Sequence, residues 1–302
     1  MSLSFYAKID SINETTYDTY TLSVIKEDKE RITLRIDKDA KIIQNMVYFF
    51  ETEEIEFKER MQLLATKFTY IDDCEITIEE RGSLMTKFYE FAPISVDEIK
   101  SSIESYLMKI ENKIIKDIVM NIYKKHEKMF YLYPAATKFH HAYISGLSYH
   151  TKTMMNMIDG FLKVYPFLNQ DLLIAGVMLH DVCKVVELSH YAGPEYTKEG
   201  KLLGHITMGV MEIERTANEL GYYKTEEALV LEHMVLSHHY FPHFGSPKKP
   251  NIPEAIVLHF IDNIDSKLTV IGEQLAQVQP GEFTQPIGVA DRERYYKVNF
   301  ED

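Results

Sequence analysis

The chain has 302 residues, of which 45% are hydrophobic and 26% charged, with a formal net charge of −13. These values fit a soluble globular protein long enough for two domains and a sizeable core. The acidic balance argues against a protein that coats nucleic acid by charge alone, and no run of about 18 apolar residues is present to span a membrane.

The opening stretch MSLSFYAKIDS has neither a basic start nor an apolar core, so export is not expected. The two cysteines, Cys74 and Cys183, form no framework, which fits a reducing cytoplasm. Residues 1 to about 70 read as strands. TYTLSVI (19–25), RITLRI (31–36), VYFFETEEIEF (47–57) and MQLLATKFTYI (61–71) are short and rich in β-branched and aromatic residues. EDKE (27–30) and KER (58–60) suggest hairpins. DKDAKIIQN reads as a short helical piece between the third and fourth of five strands, the order of an OB-type barrel. The expected division is therefore a barrel over 1–75, a connector over 76–95 and a helical domain over 96–302, in an α+β chain.

Ser95 is a fitting N-cap for a first long helix running through His126, with Asp97 and Glu98 in its first turn. Further helices are expected across 142–164, 170–189, 203–220, 224–239 and 253–278. Pro166, Gly193-Pro194, Gly221 and FPHFGSPKKPNIP mark the breaks.

The second half carries a constellation. LLIAGVMLHDVCKVVEL (172–188) is apolar on nearly every side, yet His180, Asp181 and Lys184 sit at its centre. An unpartnered buried carboxylate costs several kcal/mol, roughly, so Asp181 needs compensation. His150, His205, the pair His238-His239 and Asp262 also lie on or at the ends of apolar helices. Each alone reads as a hydrogen-bonded core residue, and Lys184 could neutralise Asp181. Together, seven imidazoles and carboxylates have one shared explanation in a metal site. The donors suit Mn, Fe, Zn, Co or Ni, and the lack of thiolates argues against structural zinc.

The order H, HD, H, HH, D resembles the HD superfamily of metal-dependent phosphohydrolases. More narrowly, HHAYISGLSYH, LHDVCK, EGKLLGH, LSHH, GSPKKP and IDNIDSK resemble the YhaM-type 3′→5′ exoribonucleases, which place an OB barrel ahead of an HD domain. The resemblance implies that His150, His180, Asp181 and Asp262 hold a first metal. Asp181 would bridge to a second metal completed by His205, His238 and His239. Two divalent ions, manganese first and Fe, Co, Ni or Zn as alternatives, would then supply a metal-activated hydroxide.

Lys184, one turn past His180, could stabilise transition-state charge beside Asp181 or simply pair with it. His140 and His141 are candidates to touch a substrate phosphate, and Lys248 and Lys249 to hold a strand's backbone. Asp265, one turn past Asp262, would orient a ligand. Among the barrel aromatics, Tyr6, Tyr17, Tyr20, Phe49, Phe57 and Phe68 are candidates for base stacking. The expected partner is single-stranded RNA, with single-stranded DNA and a homo-oligomer left open and no membrane. An HD-type nucleotidase or cyclic-dinucleotide phosphodiesterase, and a non-catalytic nucleic-acid-binding factor, are the competing readings.

Overall fold

The computed structural model describes residues 2–15, 19–57, 60–136, 141–192 and 195–300. It divides into two compact units, Met1–Phe91 and Ala92–Asp302.

The first unit is built on β1 (Ser2–Glu14), β2 (Thr19–Lys26), β3 (Arg31–Asp37), β4 (Val47–Phe57) and β5 (Arg60–Tyr70). They close into a barrel in the order β1-β2-β3-β5-β4. β1 pairs antiparallel with β2 and β4, while β3 meets β5 in parallel. This is an OB-like barrel. Period-two alternation fills it: Leu22 and Val24 on β2, Leu34 and Ile36 on β3 and Phe50 on β4 are all buried. On the outer face the Arg35 guanidinium lies 3.9 Å from the centre of the Phe57 ring. It donates to Thr19 Oγ1 at 2.6 Å and Gln62 Oε1 at 3.2 Å. A cleft of about 440 Å³ lined by Thr21, Thr33, Arg35, Glu54 and Gln62 opens beside it. Tyr17 lies outside the described residues.

Two sequence expectations change here. The piece DKDAKIIQN is a loop, because its backbone finds partners other than an i−4 carbonyl. The Asp37 carboxylate accepts from Asp39 N, Asn45 N donates to Ile9 O on β1, and Asn45 itself is left-handed at φ 67°. The segment read as a connector contains α1 (Ile78–Met85), whose N-cap Thr77 forms a capping box with Glu80. Leu84 and Phe88 pack with Val47 and Ile71 of the barrel unit, which is why that unit runs on to Phe91.

The second unit contains α2 (Val96–Leu107), α3 (Lys113–Phe130), α4 (Gly146–Val164), α5 (Gln170–Leu179), α6 (Lys184–Glu187), α7 (Lys198–Glu219), α8 (Glu226–Ser237) and α9 (Pro253–Ala276). The helix expected from Ser95 to His126 is two helices. Asn112 caps α3 by accepting from Ile114 N and Ile115 N, while Asp171 accepts from Glu111 N and Asn112 N. A side chain that satisfies free N–H groups stabilises a new helix start. The core gathers Ile118 and Ile122 of α3, Met154 and Ile158 of α4, Leu173 and Val177 of α5, Leu231 and Val235 of α8 and Leu258 of α9. No helix among the described residues is long and apolar enough to cross a membrane.

Candidate metal centre

The helix expected over 170–189 breaks at its charged centre. α5 ends at Leu179, His180 is its C-cap, and a turn through Asp181 and Cys183 leads into α6. The break places both His180 and Asp181 at the end of an apolar helix, buried at 1% and 3% exposure.

Asp181 sits between two groups of ligand atoms. Its Oδ2 lies 3.3 Å from His180 Nε2 and 4.0 Å from His150 Nε2. Its Oδ1 lies 3.2 Å from His205 Nε2 and 3.9 Å from His238 Nε2. On one side His150, His180 and Asp262 bring ligand atoms within 4.8 Å of one another. On the other, His205, His238 and His239 do the same. His150 Nε2 lies 3.3 Å from Asp262 Oδ1.

Each of these imidazoles is oriented through Nδ1. His180 Nδ1 lies 2.8 Å from Val177 O, His238 Nδ1 lies 2.7 Å from Val235 O and His239 Nδ1 lies 2.6 Å from Phe244 O. A carbonyl can only accept, so Nδ1 must carry the proton and the Nε2 lone pair faces inward. His150 Nδ1 meets Asp265 Oδ2 at 2.6 Å, and His205 Nδ1 meets both Glu187 oxygens at 3.1 Å. Among the described residues, His180 Nε2, His205 Nε2, His238 Nε2 and Asp181 Oδ1 are buried without a hydrogen-bond partner. Four such atoms converging on one place would be costly without a shared partner, because a buried polar group left unpaired loses its hydration for nothing. Divalent cations fit this donor set: imidazole nitrogens and carboxylate oxygens, with no thiolate.

The electrostatics of these groups differ from one to the next. Burial depresses the pKa of His238, and His239 beside it pushes the same way, so its ring stays neutral. Burial lowers that of His239 as well. Burial opposes protonation of His150 too, but hydrogen bonds to Asp262 and Asp265 outweigh it and raise the ring to about 9. Burial would raise the Asp181 carboxyl, yet Lys184 and His180 hold it well below the usual range. Lys184 Nζ lies 2.6 Å from Asp181 Oδ2. Burial disfavours its charge, but the Asp181 carboxylate prevails and its pKa is raised.

The remaining sequence candidates are placed differently. His140 lies outside the described residues. His141 does not lie in a position to meet a phosphate: it is fully buried, with Nδ1 2.7 Å from the Tyr143 hydroxyl and Nε2 2.8 Å from Asp265 Oδ2. Asp265 thus holds two imidazoles, His141 and His150. Lys248 and Lys249 are exposed, and Lys249 Nζ lies 5.1 Å from the Tyr240 ring centre.

Glu187 and Gly204 were not singled out by sequence reasoning. Gly204 interrupts α7 with φ 71° and ψ 157°, a conformation open to glycine. The interruption frees the His205 N–H, which donates to Glu187 Oε1 at 3.0 Å. The available signal was a lone carboxylate among Val185, Val186 and Leu188.

Comparison with known proteins adds family information. A family model described as HD domain matches residues 147–267. The 3′-5′ exoribonuclease YhaM of Geobacillus sp. (strain WCH70) is 46% identical over 216 residues, covering 72% of this chain and 66% of the relative. The same-named proteins of Halalkalibacterium halodurans and Bacillus subtilis are 45% and 43% identical, covering 72% and 74% of this chain and 68% and 70% of theirs. Among solved structures, a replication protein A heterotrimer bound to ssDNA matches 28% of this chain and 66% of its own at 18% identity, with a TM-score of 0.22. That likeness carries no argument, and the OB-like assignment rests on strand order.

Proposed function

The chain belongs to the YhaM 3′-5′ exoribonuclease family, and from that premise we propose that it is a metal-dependent 3′→5′ exonuclease acting on single-stranded RNA. The observation that carries the proposal is the position of Asp181. Its two carboxylate oxygens face two separate histidine groups, each with ligand atoms aimed inward.

In this reading His150, His180, Asp181 and Asp262 hold one divalent ion, and Asp181, His205, His238 and His239 hold a second. Manganese suits these nitrogen and oxygen donors. Divalent ions held there would supply Lewis-acid stabilisation of the phosphoryl oxygens and a water made nucleophilic near neutral pH. Everything else falls to the chain itself. Asp265 and Glu187 fix the tautomers of His150 and His205, so both present Nε2 to the ions. Lys184 keeps a cation against Asp181, where it can stabilise charge developing on the phosphoryl oxygens. The apolar helices around the site limit water and strengthen these interactions. The OB-like barrel is a suitable holder for a single strand.

The test is a time course on single-stranded RNA labelled at one end, with manganese present. A ladder shortening from the 3′ end is expected. Release of the 5′ nucleotide first, or hydrolysis of a cyclic dinucleotide in preference to the strand, would contradict the reading.

A further inference from the structure

The segment after His239 carries a second feature of the catalytic unit. Tyr240 adopts a left-handed backbone at φ 66° and Gly245 at φ 105°, and between them Pro242–Phe244 forms a single 3₁₀ turn. A tyrosine at positive φ is uncommon and needs its surroundings to hold it. Those surroundings are present: Tyr240 N donates to Ser237 O at 2.8 Å, and His239 N donates to the buried Ser246 hydroxyl at 3.0 Å.

The turn presents aromatic rings. Phe241 and His243 are stacked, with centroids 5.4 Å apart and planes at 26°, and the Phe244 ring lies 4.3 Å from His243. Phe241 is 39% and Phe244 59% exposed. Large exposed aromatics held on a braced turn are not explained by packing. The run YFPHFGSPKKPN (240–251) contains two lysines and no acidic residue, in a chain with 46 acidic residues. Lys249 Nζ lies 5.1 Å from the Tyr240 ring centre and 5.9 Å from that of Phe241. The turn is also tied to the metal centre, because Phe244 O accepts from His239 Nδ1 at 2.6 Å.

We infer that Phe241, His243 and Phe244 form a stacking platform for the bases of the strand entering the metal centre, with Lys248 and Lys249 beside its phosphates. The inference rests on the single-strand reading above and goes further by placing the strand on one surface. Every base has a π-face, so such a platform grips a strand without selecting sequence, while lysines supply the phosphate contacts. Charge complementarity favours this occupant: a positive, aromatic patch on an acidic protein fits a polyanion carrying flat rings.

The test measures binding, so it does not require turnover. Full-length protein with manganese is titrated with a labelled phosphorothioate decauridylate and with an abasic strand of equal charge. A Phe241→Leu/Phe244→Leu double variant keeps the apolar bulk and the Phe244 carbonyl. It should weaken binding of the base-bearing strand by about 5- to 150-fold for each base that stacks. The abasic strand should be little affected, and Phe241→Tyr/Phe244→Tyr should restore binding. Equal weakening of both strands, loss of metal, or a change only in oligomeric state would overturn the platform. Wild-type protein that binds an ordinary RNA strand but leaves it intact would overturn the exonuclease reading instead, and the binding comparison would still judge the platform.

Discussion

One carboxylate oxygen of Glu187 reaches both the backbone nitrogen of His205, at 3.0 Å, and its Nδ1, at 3.1 Å. Burial would raise the Glu187 carboxyl, but the two contacts with His205 keep it below its usual value. Glu187 therefore fixes both the backbone and the ring of a proposed ligand. Glu187→Ala should weaken metal binding at the proposed His205, His238 and His239 site by about 10–100-fold. Binding at the proposed His150, His180 and Asp262 site should be retained. Metal titration followed by elemental analysis distinguishes the two, and equal loss from both sites would show that Glu187 supports the fold rather than the ligand.

Lys184 has two roles to separate. Its ammonium contacts Asp181 at 2.6 Å, which satisfies a structural pairing as well as a catalytic one. Lys184→Met should lower kcat by roughly 10²-fold or more, the scale of losing one electrostatic stabiliser, with metal content and circular dichroism unchanged. Loss of the helical signal or release of metal would assign Lys184 to structure.

The His150 ring gives a pH prediction. Hydrogen bonds to Asp262 and Asp265 overcome burial and raise it to about 9, so before metal binds the ring is protonated at neutral pH. A metal at Nε2 must displace that proton. Metal affinity should fall as pH falls below about 9, by up to about tenfold per pH unit for each proton displaced. Calorimetric titration of manganese at neutral pH, in two buffers of different ionisation enthalpy, should register proton release. Binding heats independent of the buffer would contradict the assignment of His150.

Much of the candidate site was legible because each proposed ligand is an anomaly: a charge or imidazole inside an apolar run needs a partner, and the fold brings His150, His180, Asp181, Asp262 and the later histidines together. What sequence did not reveal depends on how the backbone bends. The turn at Asp181 and the interruption at Gly204 bring Glu187 to His205, and neither leaves a trace in hydrophobic periodicity. His141 looked like a loop residue beside His140, but its backbone at φ 49° turns the ring inward onto Asp265. In the first unit, alternation identified the strands. The loop after β3 had helical composition, yet Asn45 N donates to Ile9 O on a strand distant in sequence. The break before α3 came from Asp171, likewise distant in sequence.

The division of labour can be tested by truncation at the unit boundary. Residues 92–302 contain every proposed ligand and Lys184. The truncated protein should bind metal and hydrolyse a simple activated phosphodiester. On long strands it should lose efficiency in KM more than in kcat if the barrel holds the strand, since base stacking is worth roughly 1–3 kcal/mol per base in substrate and transition state alike. Circular dichroism must accompany the kinetics. A folded truncation that degrades long strands as well as the full chain does would remove the barrel from substrate binding.

Asp181 is the one side chain shared by both proposed metal positions, since its Oδ2 faces His180 and its Oδ1 faces His205. Asp181→Asn preserves shape and removes the charge. The measurement is metal content per chain, by elemental analysis after manganese loading, for the wild type and the variant side by side. Two ions are expected in the wild type and at most one in the variant, with strand degradation abolished and the helical signal intact. Equal metal content in both proteins, with full activity in the variant, would contradict it.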